Sequence, residues 1–153
     1  MSVAEDALAA ASAMAESKGV ELQLAIDADA RLLFVDRTAA RQVLSNLIDN
    51  SLRHTDRGHV AVFAARRPNG MQLGVHDTGS GIGPEHLPRI FERFYRADTA
   101  RARDSGGTGL GLAIVKHLVE AHGGSVAAES TPGQGTTITA FFPLKPDGSL
   151  PAS

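Results

Sequence analysis

Two asparagines and an arginine on one short stretch are spaced for shared chemistry. The segment Arg41-Gln-Val-Leu-Ser-Asn-Leu-Ile-Asp-Asn-Ser-Leu-Arg-His54 places Asn46, Asn50 and Arg53 at i, i+4 and i+7, which lines them along one helix face. Asn is a mediocre helix former because its amide competes for backbone hydrogen bonds. Two in register, followed one turn on by a cation, suggest the wall of a polar site. The competing reading is a solvated face with incidental Asn. A second cluster follows in Asp77-Thr-Gly-Ser-Gly-Ile-Gly83, where glycine occupies every second position after an acid. Glycine permits positive φ and close approach of backbone N–H groups to a ligand. A third, Gly106-Gly-Thr-Gly-Leu-Gly111, leads into an apolar periodic stretch. A glycine-rich loop feeding a helix N-terminus presents free N–H groups and a positive dipole end to an anion. Arg89, Arg93, Arg96, Arg101 and Arg103 gather between the two glycine loops; such a cationic group suits an anion, and an ordinary solvated arginine face is the competing reading. Carboxamides, amide-rich loops and local positive charge together point to a triphosphate with its metal.

Periodicity shows which helices and strands carry these groups. Val43, Leu44, Leu47, Ile48 and Ser51 recur at three- and four-residue steps, so the Asn stretch is a helix with one buried stripe, Asp36 as its N-cap and Gly58 as its stop. Residues 3–17 read as an Ala-rich helix ended near Gly19. Val20, Leu22, Leu24 and Ile26 alternate with polar or small residues as a half-buried strand, and residues 31–35 form another. A hairpin is expected over His59–Ala65 and Met71–His76, with its turn at residues 66–70. The parity of Leu73 and Val75 carries on to Asp77, so its carboxylate belongs to the inward set. Burying it is costly unless something hydrogen-bonds it. Glu85–Tyr95, with Pro84 at the first helical position, reads as a short helix or two carrying Ile90, Phe91 and Phe94. Residues 97–105 read as a mobile lid. Leu112–His122 is a helix with a stripe of Leu112, Val115, Leu118 and Val119, ended by Gly123 and Gly124. Strands at Ser125–Glu129 and Thr136–Phe142 flank the turn Thr131–Gly135.

The totals set outer bounds. At 153 residues the chain is of one-domain size, and its 42% hydrophobic and 21% charged residues fit a globular fold. Fifteen basic against seventeen acidic residues give −2, which offers no bulk attraction to nucleic acid or a membrane surface. With no cysteine, disulfides, zinc–thiolate sites and a thiol nucleophile are excluded. No apolar run approaches the roughly 18 residues of a membrane span, and no signal-peptide pattern opens the chain. A cytoplasmic domain is expected, which the cytoplasmic part of a membrane-bound sensor would also satisfy. Residues 1–144 form the expected domain, and 145–153 read as a flexible tail.

Common glycine signatures do not fit. A Walker loop needs Lys and Ser or Thr after its last glycine, but Gly111 is followed by Leu112 and Ala113. The dinucleotide fingerprint spacing is absent from both loops, and so is the motif set of eukaryotic-type protein kinases. What the four segments do resemble, in order and spacing, are the N, G1, F and G2 boxes of bacterial sensor histidine kinases: Asn46–Asn50, Asp77–Gly83, Phe91–Phe94 and Gly106–Val115. The resemblance spans roughly residues 1–144. It implies the catalytic ATP-binding domain of the wider gyrase, chaperone, histidine kinase and mismatch-repair ATPase superfamily. The fold implied is α+β: a two-layer α/β sandwich of the Bergerat type, with a mixed, mostly antiparallel sheet and helices on one face.

The resemblance also implies site roles, ATP and Mg²⁺. Asn50 matches the Asn that coordinates Mg²⁺, with Asn46 its companion near the metal. Arg53 stands where a basic residue contacts phosphate, and these three form the catalytic set. Asp77 matches the carboxylate that accepts the adenine amino group, and Thr136 the Thr that shares a water with that Asp and the base. Gly79, Gly81 and Gly83, with Gly107, Thr108, Gly109, Leu110 and Gly111, match the pocket and lid positions. His54 departs from the family, where Tyr is common. Arg93 and Arg96 are candidates for partners of the phosphates or of the acceptor domain.

A sensor kinase also needs a phosphoacceptor His within H-E/D-x-x-x-P or a similar pattern. None of His54, His59, His76, His86, His117 and His122 is followed by it. The chain is therefore expected to act on a separate dimerisation and phosphoacceptor domain, in cis within a longer kinase or in trans as a split protein. A response regulator would follow, with no nucleic-acid or direct membrane contact, and the isolated domain would be a monomer. An anti-sigma-type serine kinase and a non-catalytic ATP-binding module are the alternatives.

Overall fold

The computed structural model describes residues 3–26, 37–55, 57–92 and 111–143. In chain order the elements are α1 (Val3–Lys18), β1 (Val20–Ile26), α2 (Arg37–His54), β2 (Gly58–Arg67), β3 (Gly70–Asp77), a 3₁₀ turn (Leu87–Arg89), α3 (Gly111–Ala121), β4 (Ser125–Thr131) and β5 (Gly135–Pro143). The strands form one sheet in the order β1-β2-β3-β5-β4. Only β1 and β2 run parallel; the other neighbours are antiparallel. This is the mixed, mostly antiparallel α+β sandwich expected.

Strand alternation decides which face is covered. Val60, Val62 and Ala64 on β2, Leu73 and Val75 on β3, and Ile138 and Ala140 on β5 are buried. Against them lies α2, whose Val43, Leu44, Leu47, Ile48 and Leu52 are at most 1% exposed. This helix is central, packing on α1, α3, β2 and β3. Val115 and Val119 of α3 complete one continuous core with Ala7 and Ala15 of α1. On the other face Ala61, Phe63, Gln72, His76, Thr137 and Thr139 are half-buried. Among the described residues no helix is long and apolar enough to cross a membrane.

Three expectations need correction. The hairpin turn is tighter than residues 66–70, because Arg67 already pairs with Gly70. Gly58 opens β2 and does not end α2, which stops at His54. No α-helix covers residues 85–92; a single 3₁₀ turn holds Leu87–Arg89 with proline inside its first two positions. An α-helix begun at Pro84 would need an N–H on Pro88 to bond the Pro84 carbonyl, and proline has none. The expected strand at 31–35, the Asp36 cap, the lid at 97–105 and the tail at 145–153 lie outside the described residues.

At the end of α3 the chain closes as expected. Gly123 N–H donates to the Glu120 carbonyl and Gly124 N–H to the Val119 carbonyl, both at 2.9 Å, and Gly123 takes φ +78°. This is the six-to-one and five-to-two pairing of a Schellman ending. A Cβ on Gly123 would meet only Pro143 at 3.9 Å, so the cost of Gly123→Ala is purely conformational. It should be about 1–2 kcal/mol. Thermal melting should fall by roughly 2–4 °C for each kcal/mol.

Candidate functional site

One wall of the site is the exposed flank of α2. Asn46, Asn50 and Arg53 are all half-buried on it. The Asn46 side chain is committed at both ends: its Nδ2 donates to the Gly111 carbonyl at 3.3 Å, and its Oδ1 accepts from Gln42 Nε2 at 3.2 Å. Asn46 therefore ties α2 to the first residue of α3, where the second glycine loop enters the helix. No hydrogen bond among the described residues engages the Asn50 amide, one turn further along. Arg53 pairs with Asp49 at 3.0 Å, an i,i+4 ion pair. Its Nε–H is buried and has no acceptor among the described residues. A charged donor left unpaired in the interior is costly, so this atom is a place where an added oxygen would be stabilising.

Asp77 forms the floor. It is the last residue of β3, opposite Val60 of β2 and Thr136 of β5. It is 2% exposed, and Thr136 is 4% exposed. Cross-strand partners share a face, so the carboxylate and the hydroxyl stand side by side on the covered side of the sheet. One carboxylate oxygen accepts from Gly79 N–H at 2.9 Å. A carboxylate has about four acceptor positions, and no other hydrogen bond among the described residues occupies them. The Gly79 N–H is therefore turned back on Asp77 and orients it.

The glycine loop is laid against the turn between β4 and β5. Gly133 N–H donates to the Ser80 carbonyl at 2.7 Å, and Ile82 N–H donates to Ser130 Oγ at 2.7 Å. A Cβ on Gly81 would lie 2.4 Å from the Thr131 carbonyl oxygen, and one on Gly135 would lie 2.0 Å from the Asp77 carbonyl oxygen. Contact with this turn is thus sufficient by itself to require glycine at position 81. Ile82 inserts into the core at 8% exposure and anchors the loop. Gly83 closes it by accepting from His86 N–H at 2.9 Å.

Of the residues singled out in the sequence, Asn46, Asn50 and Arg53 share one face of α2, Asp77 and Thr136 meet across β3 and β5, and Gly79, Gly81 and Gly83 make the loop between them. Gly111 joins the set through Asn46. Gly107, Thr108, Gly109, Leu110, Arg93, Phe94, Arg96, Arg101 and Arg103 lie outside the described residues, as does the His54 side chain. Phe91 packs half-buried on the core. Sequence reasoning missed Asp49, Gln42, Ser130 and Gly133. For Ser130 a signal existed: it follows Val126 and Ala128 in the inward set of β4, and a polar residue at an inward position calls for a partner.

A buried acid at a strand end, beside a helix lined with carboxamides and a glycine loop strapped to a hairpin, defines an ATP-binding domain of the Bergerat type. The chain belongs to the histidine kinase-, DNA gyrase B- and HSP90-like ATPase family, which residues 35–146 match. It is 43% identical over 145 residues to the phosphate regulon sensor protein PhoR of Pseudomonas aeruginosa, covering 92% of this chain and 33% of that protein. It is 41% identical over 132 residues to the signal transduction histidine-protein kinase BaeS of Escherichia coli, covering 86% and 28%. The full-length structure of ShkA in complex with AMPPNP is similar at a TM-score of 0.79 and 30% identity, over 99% of this chain and 30% of that one. The chain thus spans about a third of the length of these curated relatives.

Proposed function

We propose that this chain is the Mg-ATP-binding catalytic domain of a two-component sensor histidine kinase. It would donate the γ-phosphoryl group to a histidine on a separate dimerisation and phosphoacceptor domain, and a response regulator would receive the group next. The observation that carries this reading is Asp77, buried at the end of β3 beside Thr136 with most of its acceptor capacity unused. Such an acid suits an amino group on a flat heterocycle, as adenine presents.

In this reading Asn50 holds Mg²⁺, and its unengaged amide fits that role. Mg²⁺ takes one or two protein ligands and keeps water and phosphate oxygens for the rest. A neutral amide adds no negative charge beside a triphosphate. Asn46 fixes the start of α3 against α2 and so shapes the metal end of the site. Arg53, with its buried Nε–H lacking an acceptor, meets phosphate oxygen. Gly107–Gly111 with Thr108 and Leu110 cover the nucleotide. Phosphoryl transfer needs positioning and charge stabilisation more than covalent help from the protein. The bond from the γ-phosphorus to the β,γ-bridging oxygen breaks and ADP leaves with its electron pair; the unprotonated nitrogen of the acceptor imidazole bonds phosphorus, and the proton on the other ring nitrogen passes to solvent. Residues 1–144 would form the catalytic unit, working on the cytoplasmic side, and 145–153 a trailing tail.

Incubation with γ-labelled ATP, Mg²⁺ and a histidine-bearing helical bundle from a sensor kinase tests the reading. Acid-labile, base-stable label on the bundle is the expected result. Acid-stable label would indicate a serine kinase, and nucleotide binding without transfer to any acceptor would indicate a binding module. Arg53→Ala is expected to slow transfer and weaken binding of the triphosphate about tenfold, the loss of one charge-assisted contact. Affinity for adenosine should stay near wild type, and titration with ATP and with adenosine separates the two.

A further inference from the structure

The β4–β5 hairpin holds a side chain that none of the site roles above uses. Ser130 Oγ lies 2.7 Å from the Ile82 nitrogen, 2.9 Å from the Gly135 carbonyl oxygen and 2.9 Å from Thr136 Oγ1. It touches the glycine loop, the strand next to Asp77 and the hydroxyl beside Asp77 at once. The direction of each hydrogen bond follows from counting protons. Ile82 N–H can only donate, and the Gly135 carbonyl can only accept. A serine hydroxyl has one proton and two lone pairs. If that proton goes to Gly135, the third contact is satisfied only when Thr136 donates its own proton to Ser130. Thr136 then has no proton left for the pocket and presents lone pairs alone.

We infer that Ser130 is a positioning residue for base recognition, strapping the glycine loop to the hairpin and fixing Thr136 as an acceptor beside Asp77. The inference rests on the nucleotide reading above and deepens it. A floor made of a carboxylate and an acceptor-only hydroxyl favours a base edge with an exocyclic amine. A water bridging Thr136 to the ring nitrogen of that edge would find Thr136 ready to accept. A base that places a carbonyl oxygen at the same point, as guanine does, meets acceptor against acceptor. A polar site rejects such a mismatch strongly because its own groups are left unpaired. Without the Ser130 hydroxyl, Thr136 is free to turn its proton outward and offer that carbonyl a donor, while Ile82 N–H loses its acceptor.

The test compares Ser130→Val with Ser130→Thr, which differ by one hydroxyl at nearly equal shape. Two readouts are taken on the whole chain: amide exchange at Ile82 without nucleotide, and affinity for non-hydrolysable ATP and GTP analogues with Mg²⁺. Ser130→Val is expected to speed exchange at Ile82, to weaken the ATP analogue about fivefold to tenfold, and to narrow the ATP-over-GTP preference by a similar factor. Ser130→Thr should restore all three. If Ser130→Val does not fold, Ser130→Ala reads the same quantities. A wild-type preference for ATP over GTP in the Val or Ala variant overturns the inference, as does failure of Thr to rescue. Should the wild type bind neither analogue, the nucleotide reading fails and base recognition falls with it. Exchange at Ile82 would still decide, separately, whether the strap exists.

Discussion

Asp77→Asn is expected to lower ATP affinity by about a hundredfold or more while leaving the fold intact. The two halves of this expectation come from the two oxygens of the carboxylate. One accepts from Gly79 N–H at 2.9 Å, and the amide oxygen of Asn can take over that bond, so the loop keeps its anchor. The other oxygen becomes an NH₂ group. In place of an acceptor for the adenine amine, the floor then presents a donor. The charge-assisted bond is lost, at about 1.5–3 kcal/mol, and a buried donor faces a donor, at about 1–3 kcal/mol more. Each 1.4 kcal/mol is about a factor of ten in the dissociation constant. Isothermal titration with a non-hydrolysable ATP analogue and Mg²⁺ measures the loss, and thermal melting checks that the fold survives. Wild-type affinity in this variant would remove Asp77 from the site and with it the proposed function.

Asp77 was legible in the sequence because it obeys strand parity: Leu73, Val75 and Asp77 point the same way, and the structure buries all three. The central helix was legible for the same kind of reason, since a 3.6-residue period is local. The register between strands is not local. Nothing in Thr131-Pro-Gly-Gln-Gly135 says that this turn supports the loop after Asp77, because the β3–β5 pairing is what brings the two within hydrogen-bond reach. Ser130 was missed on that account; its partners are Ile82, in the loop after Asp77, and the adjacent Gly135 and Thr136 at the start of β5. The glycines of 79–83 stand out in the sequence, but close approach to a ligand is only half of the physics there. Gly81 faces the Thr131 carbonyl, and the N–H of Gly79 is turned onto Asp77. The absence of an α-helix over residues 85–92 is itself written in the sequence, since Pro88, four residues after Pro84, removes the bond that would follow Leu87 N–H to the Gly83 carbonyl.

Gly135→Ala should be the most damaging small substitution at this site, and its effect should reach both stability and binding. A Cβ there would lie 2.0 Å from the Asp77 carbonyl oxygen, 3.0 Å from its carbonyl carbon and 3.1 Å from Thr78 Cα, with φ at +129°. All three atoms are backbone, so no side chain can swing aside. The strain of an L residue at such a φ is about 1–3 kcal/mol, and forcing the overlap apart adds about 1–3 kcal/mol. A loss of about 2–6 kcal/mol is therefore expected, well beyond that of Gly123→Ala, where the new methyl group meets only Pro143 at 3.9 Å. The relief available to the chain is to part β5 from the end of β3. That separates Thr136 from Asp77 and pulls the Gly135 carbonyl off Ser130. Nucleotide affinity should then fall even in the fraction that stays folded. Urea denaturation of both glycine variants, alongside titration with the ATP analogue below the denaturation range, separates the two effects. Equal denaturation midpoints for Gly135→Ala and the wild type would show that β3 and β5 do not meet as closely as the pairing of Asp77 with Thr136 requires.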